Sequence, residues 1–183
     1  GITSTTVDAT AWKSQANLKG TAVLAKTATD GDKLSLDFTY VENGKEKTTS
    51  ISFTLSTNKD GDKVLVGDSG AEYAIADFAG AGVATTDLDA AVSKELAKSP
   101  LADKFKITGD YNATGLTFES KTAGANGPRL TGYTTTTVVG GTATSTAVAL
   151  GTAQTQGADA HYTATTTAFD GTNADDAVFT VNG

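Results

Sequence analysis

Carboxylates, hydroxyls and lysines are the groups this chain offers for chemistry. Its 183 residues include no Cys, no Met, one His (His161), one Trp (Trp12) and one Arg (Arg129). A thiol nucleophile, a Cys-based metal site and a two-His metal site are therefore excluded. Glycoside hydrolysis needs a pair of carboxyl groups, and the local pairs are Glu42 with Glu46 and Glu72 with Asp77. The first pair flanks a hairpin tip and is expected in solvent. A cleft would also need aromatic walls, and five Tyr, seven Phe and one Trp must build both core and cleft. His161 could act as a general base, but no Ser stands in a Gly-x-Ser-x-Gly turn to complete a hydrolase, so a surface or packed strand histidine is expected.

Two oxygen-rich loops could attract a hard cation such as calcium: Asn58, Asp60 and Asp62, and separately Asp170, Asn173, Asp175 and Asp176. Neither completes the calcium-loop pattern, because the terminal Glu is missing, and both read as solvated turns in which Asp and Asn accept backbone hydrogen bonds. Tyr40, Tyr111, Tyr133 or Tyr162 could stack on a sugar ring. The plainer expectation is that each packs a strand face with its hydroxyl in water. The tracts Thr134 to Thr137 and Thr163 to Thr167 could accept O-linked glycans, although β-propensity on an exposed face accounts for them as well. The expected site list is accordingly empty: no catalytic residue, no cofactor-binding residue and no metal ligand, hence no enzyme and no cofactor.

The composition bounds the partners. Formal net charge is -7 and the sequence pI is about 4.6, which repels phosphate backbones and anionic membranes. Lysines occur singly, so no nucleic-acid partner is expected. No apolar run approaches the ~20 residues that span a bilayer, so no membrane partner is expected either. No signal peptide stands at Gly1, and without Met the chain reads as an excised fragment or a processed product. Absent cysteine fits a cytosolic protein or an exported one that must avoid cross-linking. Hydrophobic residues make up 38%, many of them Ala, and the large ones come in short alternating groups. That suits thin β-layers rather than one thick core.

The elements follow from periodicity. Leu34, Leu36, Phe38 and Tyr40 alternate with Ser35, Asp37 and Thr39; Ile51, Phe53 and Leu55 alternate on the far side of Asn43-Gly44. This predicts a β-hairpin over Lys33 to Ser56. The string Asp-Gly-Asp-Lys at 30–33 returns at 60–63, each time before a strand, and reads as one turn chemistry used twice. Leu88, Ala91, Val92, Glu95 and Leu96 repeat at helical spacing. They predict one helix at about Thr86–Lys98, with Thr86 as N-cap, Asp87 and Asp89 in the first turn and Pro100 ending it. Its buried residues, Leu88, Val92 and Leu96, should pack on a sheet carrying Leu34, Leu36, Phe38, Phe53 and Phe118. Further strands are expected at Lys63–Val66, Phe105–Thr108, Leu116–Ser120, Leu130–Val139, Thr146–Leu150, His161–Thr167 and Ala177–Asn182. Near the N-terminus, Ala11-Trp12-Lys13 and Leu18 suit a short helix or turn, Thr21–Ala25 a short strand, and Trp12 a core or interface anchor. The fold class is therefore mainly β with one short α-helix. Residues 30–133 form one module; 1–29 with 134–183 form a second, discontinuous Thr/Ala/Gly-rich β unit.

The strings Lys33-Leu-Ser-Leu-Asp-Phe, Thr86-Asp-Leu-Asp-Ala-Ala-Val, Phe105-Lys-Ile-Thr-Gly and Gly115-Leu-Thr-Phe-Glu-Ser-Lys-Thr-Ala-Gly stand in the order hairpin, helix, strand, strand, Gly-rich loop. Over residues 30–133 this resembles the module repeated in the outer domains of bacterial flagellins and flagellar hook-associated proteins. The resemblance implies antiparallel β-layers of the flagellin outer-domain type. It also implies a structural role in the exposed surface of an extracellular bacterial filament. The long heptad-patterned helices of flagellin ends are absent from this sequence. The resemblance therefore implies the solvent-facing part alone, whose filament partners would be reached through terminal regions that are missing here, and which is expected to be a monomer in isolation. The alternative class is a carbohydrate-binding or adhesin β-domain of a bacterial surface protein. Coiled-coil-like helices flanking this segment in its gene would favour the first; repeated β-domains with an anchoring signal would favour the second.

Overall fold

A computed structural model describes residues 2–16, 23–112, 114–151 and 154–166. In chain order the elements are β1 (Ile2–Val7), β2 (Ala11–Ala16), β3 (Lys33–Glu42), β4 (Lys45–Thr57), β5 (Lys63–Gly67), β6 (Glu72–Ala74), α1 (Phe78–Ala81), α2 (Thr85–Lys98), α3 (Leu101–Lys104), β7 (Phe105–Asp110), β8 (Gly115–Ala123), β9 (Arg129–Val139), β10 (Thr142–Val148) and β11 (His161–Thr166). The protein is mainly β, and among the described residues α2 is the one helix of more than two turns.

The predicted hairpin is the centre of the largest sheet, whose order is β10-β9-β3-β4-β5-β6, every neighbour antiparallel. Asn43 (φ 51°) and Gly44 (φ 72°) supply the two left-handed residues of a two-residue turn that matches the twist of its strands. Leu34, Leu36, Phe38 and Tyr40 are at most 5% exposed, and Ile51, Phe53 and Leu55 lie beneath them on the same face. The opposite face carries hydroxyls around Asp37, whose carboxylate accepts from Ser35 Oγ at 3.1 Å, Ser50 Oγ at 2.5 Å and Thr136 Oγ1 at 3.4 Å. This alternation is why one residue of register decides which side chains are buried.

A second sheet, β2-β8-β7, packs its Phe105, Leu116 and Phe118 into the same core. Phe38 and Phe118 approach to 5.4 Å between ring centroids, Phe105 and Phe118 to 5.8 Å, and Tyr40 and Phe105 to 5.7 Å. Leu88, Ala91, Val92 and Leu96 of α2 are 0–1% exposed within this core, the face expected from the sequence.

The helix start differs from expectation. Ala84, not Thr86, precedes the first turn and offers no side-chain acceptor. Asp87 replaces it: one carboxylate oxygen accepts from Ala84 N at 2.8 Å, the other from Ala76 N at 3.0 Å. Thr85 Oγ1 is instead hydrogen-bonded to Asn112 Oδ1. Ser99 before Pro100 is extended (ψ 160°), as expected, but a further turn, α3, starts at once after the proline. The segment Ala11-Trp12-Lys13 is also corrected. It is strand β2, not helix or turn, because β8 supplies its backbone partners and buries Ser14, which donates to Leu130 O at 3.3 Å. Val23 to Ala25 forms no strand; Leu24 is fully buried and its carbonyl accepts from Val83 N. The tail strand expected at Thr146–Leu150 begins earlier, at Thr142 directly after Gly140-Gly141, because β9 and β10 make a hairpin there. Leu18, Thr21, Ala22, Thr167 and the strand expected at Ala177–Asn182 lie outside the described residues.

The expected division at 133/134 falls within β9, which pairs with β3 from Lys33↔Val138 to Val41↔Arg129. On the N-terminal side, β2 pairs with β8 across the 29/30 division. The two ends of the described fold do meet: β1 and β11 form an antiparallel ribbon from Ile2↔Thr166 to Val7↔His161.

Candidate functional site

Among the described residues the most enclosed carboxylate is Glu95, 3% exposed on the buried face of α2. Helical spacing puts it between Val92 and Leu96 on the core side, and the β5–β6 connection supplies its partners. Glu95 Oε1 accepts from Ser69 Oγ and from Tyr73 OH, each at 2.6 Å, and Oε2 accepts from Ser69 N at 3.1 Å. Lys98 Nζ donates to Ser69 Oγ at 3.1 Å, and Lys94 Nζ sits 6.0 Å from the Tyr73 ring centroid. A Cβ at Gly67 would collide with the Glu95 carboxylate, so glycine there is what lets the strand pass this close.

Burial is the largest influence on Glu95 and opposes its ionisation. Hydrogen bonds from Ser69 and Tyr73, with the nearby Lys98 charge, outweigh burial and hold the carboxyl below its ordinary 4.5. For Tyr73, burial first, then the bond to Glu95 and its negative charge, push the phenol up to about 12. A general acid or base working near neutrality needs a carboxyl pKa raised, not lowered. Ser69 Oγ donates its proton to this weak base, so the group is not arranged to generate a nucleophile. The arrangement is a clasp that fastens the β5–β6 turn to α2.

This clasp sets a pH response whose sign can be worked out. A lowered carboxyl pKa contributes stability that is complete above 4.5 and is lost as pH falls through the folded value. A raised phenol pKa contributes stability that is complete below 10.0 and is lost as pH climbs toward about 12. Glu95→Gln should flatten the acid limb of the stability–pH curve. Glu95→Ala should cost about 2–3 kcal/mol at neutral pH, since Ser69 N and Tyr73 OH lose their acceptor. Urea unfolding at several pH values measures both; an Ala variant as stable as the parent would remove the clasp.

The residues singled out by sequence are dispersed. Glu42 is corrected: its side chain is 14% exposed, not in solvent, because Lys47 and Lys104 hold it at 2.7 and 2.8 Å. Lys104 from α3 gives the larger share and Lys47 the next in lowering its pKa. Glu46 is exposed. Glu72 is exposed at the sheet edge, and Asp77 accepts from Gly80 N at 3.0 Å at the start of α1. Asn58 Oδ1 accepts from Asp60 N and Asp62 N, the backbone-bonded turn expected of it. Asp30 and Lys63, the ends of the two Asp-Gly-Asp-Lys strings, form an ion pair. Asp170, Asn173, Asp175 and Asp176 lie outside the described residues. Among those described, no three His, Asp or Glu side chains are grouped as a metal ion would require. His161 is an exposed residue at the start of β11, its Nδ1 3.3 Å from Asp159 O.

Tyr40, Tyr111 and Tyr133 are 5%, 0% and 3% exposed, so these three neither face water nor offer a ring to a sugar; Tyr162, at 81%, does. Sequence reasoning counted Glu95 in the helical periodicity but named only Leu88, Val92 and Leu96 as buried and gave Glu95 no partner. The one signal that could have drawn attention to it is a carboxylate inside an apolar periodicity. Among the described residues no helix is long and apolar enough to cross a membrane. Comparison with protein-family models, curated proteins and solved structures finds no match for this chain.

Proposed function

We propose that this chain is a structural module forming the solvent-exposed outer part of a bacterial extracellular filament of flagellin or hook-associated type, with no catalysis. The observation that carries the reading is the β1–β11 ribbon. Ile2 pairs with Thr166, so both ends of the described fold leave side by side, the geometry an insertion into a longer chain needs. The succession of hairpin, α2, β7 and β8 is the order on which the resemblance to the flagellin outer module rests. The innermost carboxylate serves as a fastener rather than a reagent. A net charge of -7 opposes self-association of the free module.

Antibody raised against this chain should decorate filaments along their length on intact cells. Removing the whole segment from the encoding gene should leave filaments that the antibody no longer labels. The deletion must take the whole segment, because β9 crosses residue 133 and β2 pairs with β8, so excising 30–133 would open both sheets. Sedimentation of the free chain should give a monomer. Loss of filaments on deletion, labelling confined to another structure, or stable oligomers of the free chain would each overturn the reading.

A further inference from the structure

We propose that Trp12 and Arg129 form a binding site for a carboxylate-bearing sugar of the uronic-acid class. Independently of the filament reading, it rests on the only Trp and only Arg of the chain meeting across 117 residues (129 − 12). The Arg129 guanidinium carbon lies 4.7 Å from the Trp12 ring centroid. The indole is fixed in turn, Nε1–H donating to Ala125 O at 2.9 Å. Attraction of the cation to the ring face does not consume the guanidinium N–H donors. Among the described residues no carboxylate pairs with Arg129 and no acceptor receives its N–H groups, in a protein where Glu42, Asp30 and Glu119 all have lysine partners. A guanidinium whose N–H donors are unspent is what recognises a carboxylate in bidentate fashion.

The surroundings define the rest of the ligand. Trp12, Arg129, Asn43 and Asn126 line one open groove of about 150 Å³. Three separate elements converge there: β2, the β3–β4 tip, and the loop leading into β9. Asn43 N donating to Asn126 O at 3.2 Å joins the tip to the loop, and the Trp12 Nε1–H bond to Ala125 O joins β2 to it. The groove is well below the ~300–1,000 Å³ typical for drug-sized ligands, which limits it to a single ring. Asn43 and Asn126 are exposed and carry amides that both donate and accept, the complement of ring hydroxyls. Asp159 reaches the loop with its Oδ1, which accepts from Ala125 N at 2.9 Å. The overall negative charge opposes an anion, but this field is screened beyond about 8 Å at physiological salt.

Because Trp12 is the only indole, its emission and its single indole N–H resonance report on this groove alone. The full chain should be titrated with glucuronate, with glucose as the neutral ring and acetate as the ringless carboxylate. Glucuronate should shift the Trp12 signals with a Kd of about 1–10 mM, and glucose and acetate should bind at least about tenfold more weakly. Arg129→Gln should weaken glucuronate binding by about tenfold or more, and Arg129→Lys by several-fold, since lysine keeps the charge but not the fork. Paired Asn43→Gly and Asn126→Ala changes keep the left-handed turn and the Trp12–Arg129 contact and should erase the preference for glucuronate over acetate. That second variant keeps the test decisive if Arg129→Gln fails to fold. No Trp12 response to glucuronate, an equal response to glucose or acetate, or unchanged binding in the Asn pair would overturn the proposal.

Discussion

Val92→Asp should lower the stability of the protein by about 4 kcal/mol or more. Val92 is fully buried at the middle of α2, with Leu88 one turn before it and Leu96 one turn after it equally enclosed. An aspartate there has no cation or donor arranged to receive it, and a buried unpaired charge costs several kcal/mol. Domains of this size have about 5–15 kcal/mol in total, so a loss of about 4 kcal/mol or more takes at least a quarter of the margin. Val92→Ala, which only opens a small cavity, should cost about 1–2 kcal/mol. Ser93→Asp, one residue on and exposed, should change stability by less than about 0.5 kcal/mol. Urea midpoints of the three variants make the comparison. An unaltered midpoint for Val92→Asp would mean that α2 presents another face to the sheets.

Phe38→Ala should be the other severe change, at about 3–5 kcal/mol. Phe38 is fully buried on the central strand, and its ring lies 5.0 Å from Tyr133 in its own sheet and 5.4 Å from Phe118 in the other. Removing the ring opens a cavity where the two sheets meet, and neither backbone can move inward without breaking its ladder. Phe118→Ala tests the same junction from the opposite side. The two losses should fall short of additive in the double variant by about 0.5–1.5 kcal/mol, the coupling expected of an aromatic pair in contact. Thr39→Ala, next in sequence but on the hydroxyl face, should cost under about 1 kcal/mol. Strictly additive losses at Phe38 and Phe118 would separate the sheets energetically.

Local pattern was enough for the elements that organise the core. The β3–β4 hairpin was legible because alternation from Leu34 to Tyr40 and an Asn-Gly turn are both short-range properties, and its buried set is the predicted one. The same holds for the buried face of α2. Its start was not legible to one residue, because the group that caps it, Asp87, reaches back from within the helix. Strand β2 was misread because six residues without clear alternation have no conformation of their own to declare. Its partner, β8, lies about a hundred residues away.

Site chemistry divides in the same way. The sequence by itself determined which reagents the molecule possesses: no thiol, one imidazole, one guanidinium, one indole and an excess of acid. It also determined that Glu95 lies on an apolar helical face. Only the tertiary structure decided that Ser69 and Tyr73 would meet that carboxylate and that two lysines would enclose Glu42. It alone decided that three of four candidate tyrosines would be buried and that Trp12 would lie under Arg129. The physical reason is that periodicity reports how a residue stands relative to its own element. Charge pairing, burial of an aromatic ring and the closure of a groove depend on which elements are brought together, and here the partners come from strands and loops far apart in the chain.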